Sequence, residues 1–200
     1  MKKTILGAGA VALGVAFGAP ASAQNKGIEH YFDEVQEIAA GELQGWITDP
    51  IFVYAIREQN EMFGTLSERR IARLDKQWIA ENGKGPMIGD LLDRQASIIL
   101  RDRRELSKGV ITEIILMDKY GLNVAISDPT SDFYQGDEAK YQDTFLKGAR
   151  AVHVSEVEYD ESTGVDQTQV SMTVIDPENG APIGAVTFGI NLEVLEKLAQ

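Results

Sequence analysis

The sequence predicts an α+β domain with an antiparallel sheet, on three observations. Apolar residues recur at three- and four-residue spacing from Ile28 to about Leu106, and the spacing falls to two after Gly109. The extended segments that follow are separated mostly by turn chemistry rather than by helical stretches, which excludes an alternating βαβ order. With 200 residues and 44% hydrophobic side chains, the chain can bury a single core, so one domain is expected over residues 24–200.

Residues 1–23 read as a leader. Lys2 and Lys3 give a positive start, Ile5 to Ala19 is uncharged and small or apolar, and Ala21-Ser22-Ala23 fits the small-x-small cleavage pattern. The run is shorter than the roughly 20 apolar residues that span a bilayer, so cleavage after Ala23 and a periplasmic product are expected. Removing Lys2 and Lys3 leaves 17 basic against 31 acidic residues, a formal charge of −14 instead of −12. That charge repels phosphate backbones and anionic lipid, so nucleic acid is excluded as a partner. The chain has no cysteine and only two histidines, His30 and His153. Disulfides, thiolate chemistry and a histidine-rich metal centre are therefore not expected, and no cofactor is assigned.

The helical half is read in order. Ile28, Tyr31, Phe32, Val35, Ile38, Ala39, Leu43, Trp46 and Ile47 form one apolar face opposite Glu29, Asp33, Glu34, Glu37 and Glu42, a long amphipathic N-terminal helix. Asp49-Pro50 supplies an N-cap and a first-position proline for a second helical stretch. Ser67 is placed to cap a third, through Trp78 and Ile79, which Asn82-Gly83-Lys84-Gly85-Pro86 ends. A fourth is expected from Ile88 to Leu106, with Arg101, Arg103 and Arg104 as a solvated end favoured by the helix dipole.

Five strands follow. Val110–Met117 and Asn123–Ser127 are joined by the turn Asp118-Lys119-Tyr120-Gly121, and Ala151–Tyr159 is a third. Gln167–Ile175 and Pro182–Ile190 flank the turn Asp176-Pro177-Glu178-Asn179-Gly180, and Leu192–Leu198 closes the chain as a short helix. The first and last strands are apolar almost throughout, so both faces of the sheet should be covered: one by the N-terminal helix, the other by the connection at residues 128–150. That connection exceeds the needs of a hairpin, and long ordered connections commonly carry function. Its aromatics Phe133, Tyr134, Tyr141 and Phe145 alternate with Asp132, Gln135, Asp137 and Lys140, a composition suited either to a lid over a small pocket or to a plug on the sheet.

The segments "ILMDKYGLNVAISDPTSDFYQGDEAKYQDTF", "VHVSEVEYD" and "GAPIGAVTFGINLEVL" together resemble a Cache domain, the extracytoplasmic PAS-like sensor module, over residues 28–198. The resemblance implies a five-stranded antiparallel sheet that holds a small carboxylate, amino acid or other metabolite between sheet and lid. Its relatives are outer portions of chemoreceptors and histidine kinases, whereas this sequence ends at Gln200 with no transmembrane or signalling segment. A free-standing sensor acting through a separate membrane receptor or kinase is the expectation. Amino-acid-binding relatives place an acid in the final strand where Gly189 stands here, which turns the expected ligand toward an organic anion. Lys140 would neutralise its carboxylate, with Tyr134 and Tyr141 bonding or stacking on it; a lysine on a surface turn is the plain alternative.

The candidate ligand-binding residues are therefore Asp132, Tyr134, Gln135, Asp137, Lys140, Tyr141 and His153. His153 shares one side of its strand with Ser155 and either donates to a ligand or sits satisfied and half-buried. Asp132 and Asp137 lack the regular oxygen-ligand spacing of a calcium loop, so no metal is assigned. No Gly-x-Ser-x-Gly or His-Glu-x-x-His motif occurs, no catalytic residue is named, and an enzyme is not expected. The rival reading is a ligand-free interaction module, in which the N-terminal helix pairs with a second copy as a homodimer or with a receptor, and a hydrolase is the less favoured alternative.

Overall fold

The computed structural model describes Val35, Gly41, residues 43–160 and residues 165–198. The expected leader and most of the expected N-terminal helix lie outside the described residues. Among the described residues five helices precede the sheet: α1 (Gln44–Ile47), α2 (Pro50–Phe63), α3 (Glu68–Glu81), α4 (Pro86–Leu92) and α5 (Gln95–Leu106). Asp49 caps α2 as expected, its carboxylate accepting from the Ile51 amide at 3.1 Å ahead of Pro50. Ser67 precedes α3 in extended conformation without a side-chain bond, and Asn82 ends that helix in the left-handed region.

The helix expected from Ile88 to Leu106 is broken. Arg94 leaves helical geometry at ψ 142°, and its guanidinium Nη1 donates to the Val124 carbonyl at 3.1 Å and to Gln59 Oε1 at 2.9 Å. No glycine or proline marks this break; a tertiary contact makes it. The arginine cluster at the end of α5 also differs from a solvated helix end. Arg103 donates to the Trp46 carbonyl at 2.7 Å and to Asp49 at 2.5 Å while covering the Trp46 and Phe52 rings. Arg104 pairs with Asp128, and Arg101 donates to the Leu92 carbonyl. These cations tie α5 to α1, to the end of α4 and to the start of the long connection.

The strands are β1 (Ile111–Met117), β2 (Asn123–Ile126), β3 (Val152–Val154), β4 (Glu158–Asp160), β5 (Val165–Ile175) and β6 (Pro182–Asn191), followed by α7 (Leu192–Leu198). All pairings are antiparallel, in the order β2-β1-β6-β5-β3, and β4 also pairs with β5. The third expected strand is thus two short pieces along one edge of β5, and the sheet is five strands wide. The interruption has a local cause. Ser155 Oγ accepts the Gln169 amide at 2.8 Å while the Ser155 carbonyl accepts Thr168 Oγ1 at 2.8 Å, so side chains stand in for ladder bonds.

Both faces are covered. Phe52 and Ile56 of α2 and Leu100 of α5 pack on Ile114, Leu116, Val170, Met172, Val186 and Phe188. On the opposite face Trp78 of α3 and Ile88 and Leu91 of α4 pack with Ile115, Met117, Ala185 and the lid residues Phe133 and Tyr141. Period-two alternation along β1 and β6 divides the two cores. Among the described residues no helix is long and apolar enough to cross a membrane.

Candidate ligand-binding site

The connection between β2 and β3 is an ordered cover on the sheet. It contains the helical turn α6 (Ala139–Gln142) and a 3-10 turn at Phe145–Lys147. Its first half is pinned by α3: Asp75 Oδ1 accepts the Phe133 and Tyr134 amides at 2.9 and 3.0 Å, and Trp78 Nε1 donates to the Thr130 carbonyl at 2.9 Å. Phe133 stacks on Trp78 with ring centroids 5.3 Å apart. The β1–β2 turn holds the next residues, where the Gln135 amide donates to the Gly121 carbonyl at 2.7 Å and Tyr134 bridges to Leu122. Gly121 sits at φ +77°, and a Cβ there would lie 2.5 Å from Gly136 Cα, so this close approach requires glycine.

The aromatic half of the cover is solid. Phe133 and Tyr141 are 3% and 5% exposed, Tyr141 stacks on Phe145 at 5.3 Å, and its hydroxyl donates to the Lys119 carbonyl at 2.6 Å. Burial pushes the Tyr141 phenol well above its ordinary range. The enclosed cavity suggested by the aromatic composition is therefore absent from this half, and Tyr141 is a core residue with its hydrogen bond already used. Tyr134 packs against the same core, its hydroxyl raised by burial and then by the Asp137 and Glu68 carboxylates. Asp137 is exposed and, like Tyr134 and Tyr141, does not line the clefts described next.

Open space survives at the polar half. Two clefts of about 450 and 270 Å³ lie between the lid and the β4–β5 end of the sheet and share Lys140, Glu158, Gln167 and Gln169. Asp132, Gln135, Glu113 and Tyr159 also line the larger cleft, and Glu138, His153 and Ser155 the smaller. Of the seven sequence candidates, the fold brings Asp132, Gln135, Lys140 and His153 to this space. Lys140 Nζ is fixed by Gln135 Oε1 at 3.2 Å and Glu138 at 3.0 Å, and the buried Gln135 is in turn bonded to Asp132 at 2.8 Å. His153 Nδ1 lies 3.9 Å from Asp143.

Apart from Gly189, the floor comes from residues the sequence reading did not single out. Glu113 of β1, Gly189 of β6 and Gln169 of β5 form one row across three strands, and Gln169 Nε2 donates to Glu113 Oε1 at 2.8 Å over the glycine. Next to it Thr112 Oγ1 donates to Gln167 Oε1 at 2.6 Å. A Cβ on Gly189 would lie 2.2 Å from Thr112 Oγ1 and 2.9 Å from Glu113 Cγ, so these side chains exclude one from the final strand. An acid stands in that row after all, supplied by β1. The signal was present as the single charge inside an apolar strand, Ile-Thr-Glu-Ile-Ile-Leu-Met. Asp132, Glu113 and Glu158 outnumber Lys140 among the charged lining of the larger cleft, so a purely anionic ligand is a poorer match than the sequence suggested. Among the described residues no group of three or more His, Asp or Glu side chains is placed to hold a metal ion.

The chain is thus an α+β domain, an antiparallel sheet five strands wide with helices packed on both faces and polar clefts beneath the β2–β3 connection. No family model matches the chain, and no curated protein matches it significantly. Solved structures similar to it include the sensory domain of the Campylobacter jejuni chemoreceptor Tlp3, at 15% identity and TM-score 0.42 over 78% of this chain and 64% of that one. The sensor domain of the V. cholerae histidine kinase DctB is similar at 14% identity and TM-score 0.38, over 72% of this chain and 58% of that one. The ligand-binding domain of the Pseudomonas aeruginosa amino acid chemoreceptor PctC, solved with GABA, is similar at 18% identity and TM-score 0.38, over 85% and 64%. The chain spans less than two-thirds of the length of each of these.

Proposed function

We propose that the protein is a periplasmic small-molecule sensing domain, which takes up a ligand carrying both a carboxylate and a protonated amine in the polar cleft. The observation that carries this reading is the juxtaposition of Lys140, held in place by Gln135 and Glu138, with the Glu113–Gln169 row across Gly189. Lys140 suits the carboxylate and Glu113 the amine, and the amide groups of Gln167 and Gln169 suit either end. The clefts match the few hundred cubic ångströms that enclose a small metabolite. Nothing in this chemistry calls for catalysis, since the role of the site is to hold charge in fixed positions. The ligand would act by shifting a lid equilibrium, and only by its differential affinity for the closed form.

Thermal-shift screening of residues 24–200 tests the reading with neutral amino acids, ω-amino acids, simple amines and small mono- and dicarboxylates. At 100 times its Kd a true ligand stabilises by about 2.7 kcal/mol, roughly 5–10 °C for a domain of this size. Amino acids are expected to give this shift, Lys140→Ala to abolish it and Glu113→Gln to weaken it. A response to dicarboxylates alone would keep the cleft but reject the amine subsite. No response to any class, with a stable dimer or captured partner instead, would favour an interaction module.

A further inference from the structure

A second cavity lies on the opposite side of the molecule. It is a groove of about 510 Å³ between α2 and the start of α5, lined by Ile51, Tyr54, Ala55 and Met62 with Gln59 and Arg94. The α2 residues recur every three or four positions, so they form one continuous helix face. Tyr54 and Met62 are 63% and 61% exposed, an unusual state for two large apolar side chains on one wall.

Arg94 gives this wall its chemistry. Nη1 is held by Gln59 Oε1 at 2.9 Å and the Val124 carbonyl at 3.1 Å, and Gln59 is anchored by its Nε2 donating to Asp118 Oδ2 and to the Asn123 carbonyl, each at 3.0 Å. Gln59 and Asp118 are 2% and 0% exposed, so the guanidinium is seated on a rigid buried network. Arg94 is itself exposed to solvent, and among the described residues its Nε and Nη2 have no hydrogen-bond or ion-pair partner. Glu58 and Asp90 lie close enough to support its charge without pairing with it. A prepositioned guanidinium with an open edge beside an aromatic and thioether wall fits a planar carboxylate with an apolar tail. Glu58, exposed on the same groove, disfavours a second negative charge.

We infer that the α2–α5 groove is a second ligand site, for a small monocarboxylate with an aromatic or aliphatic body, its carboxylate bound by Arg94. It shares no residue with the lid cleft, so either site can fail without the other. Titration of ¹⁵N-labelled residues 24–200 with phenylacetate, followed by amide chemical shifts, tests it, with phenethylamine as the charge-reversed probe. Saturable shifts are expected at residues 51–62 and 94–97 with phenylacetate and not with phenethylamine. Arg94→Gln should weaken binding about tenfold, the value of one charge-assisted contact, and the exposed Tyr54→Ala, which leaves the buried network intact, should weaken it several-fold. Four results would overturn the assignment: no shifts in the groove, shifts confined to the lid cleft, equal response to phenethylamine, or an unchanged Kd in both variants. Broadening of groove signals with protein concentration alone would also overturn it, by making this face the seat of a second copy.

Discussion

Replacing Asp75 probes how the lid is held. One carboxylate oxygen accepts two consecutive lid amides, Phe133 and Tyr134, at 2.9 and 3.0 Å. Each hydrogen bond to a charged acceptor is worth about 1.5–3 kcal/mol when lost from a buried site. Asp75 is only half-buried, and water can replace part of the loss, so about 2 kcal/mol in total is expected for Asp75→Ala. At about 1.4 kcal/mol per decade, that is a rise of roughly thirtyfold in lid opening. Hydrogen exchange should show it at the amides of Phe133, Tyr134 and Asn123, the last of which bonds to the Phe133 carbonyl at 3.0 Å. The paired strands β5 and β6 should keep their protection. Asp75→Asn retains an acceptor and should lose about half as much. Unchanged exchange at the lid, or an equal loss across β5 and β6, would refute a local pin.

Three further outcomes follow from the same contacts. Gly121→Ala combines a positive φ with a Cβ 2.5 Å from Gly136, and should cost about 2–3 kcal/mol in urea unfolding. Burial raises the Asp118 carboxyl above its ordinary 3.8 against the bonds from Gln59, Leu122 and Tyr120, so its charged form costs stability at neutral pH. The folded state gains stability as pH falls through the raised value toward 3.8, and this gain should be missing from Asp118→Asn when unfolding is compared between pH 7 and 4. Arg103→Lys cannot bond Asp49 and the Trp46 carbonyl while lying over both aromatic rings, and should lower stability by about 1–2 kcal/mol, read as a lower Tm.

What the sequence made legible was periodic or local. The change from helical to alternating spacing placed the first strand at Val110–Met117, observed as β1 (Ile111–Met117), the closing helix was read at Leu192–Leu198, where α7 stands, and Asp49-Pro50 marked the start of α2. What escaped was tertiary. Arg94 breaks a helix for acceptors on α2 and β2, and Ser155 interrupts a strand through bonds to β5. The lid was visible as an overlong connection, but not which half of it was solid. That depends on Trp78 and Asp75, more than fifty residues away, which claim Phe133 for the core. Lys140 was legible because it stands among aromatics, whereas Glu113 read as one polar position in an apolar strand until the register set it beside Gly189.

The decisive measurement is a crystal structure of residues 24–200 with the amino acid that gives the largest thermal shift. The ligand's carboxylate should lie within hydrogen-bond distance of Lys140 Nζ and its amine within reach of Glu113, over the Gly189 row. Density for the ligand elsewhere, or a polar cleft left holding only water at saturating ligand, would contradict the assignment of this cleft as the sensing site.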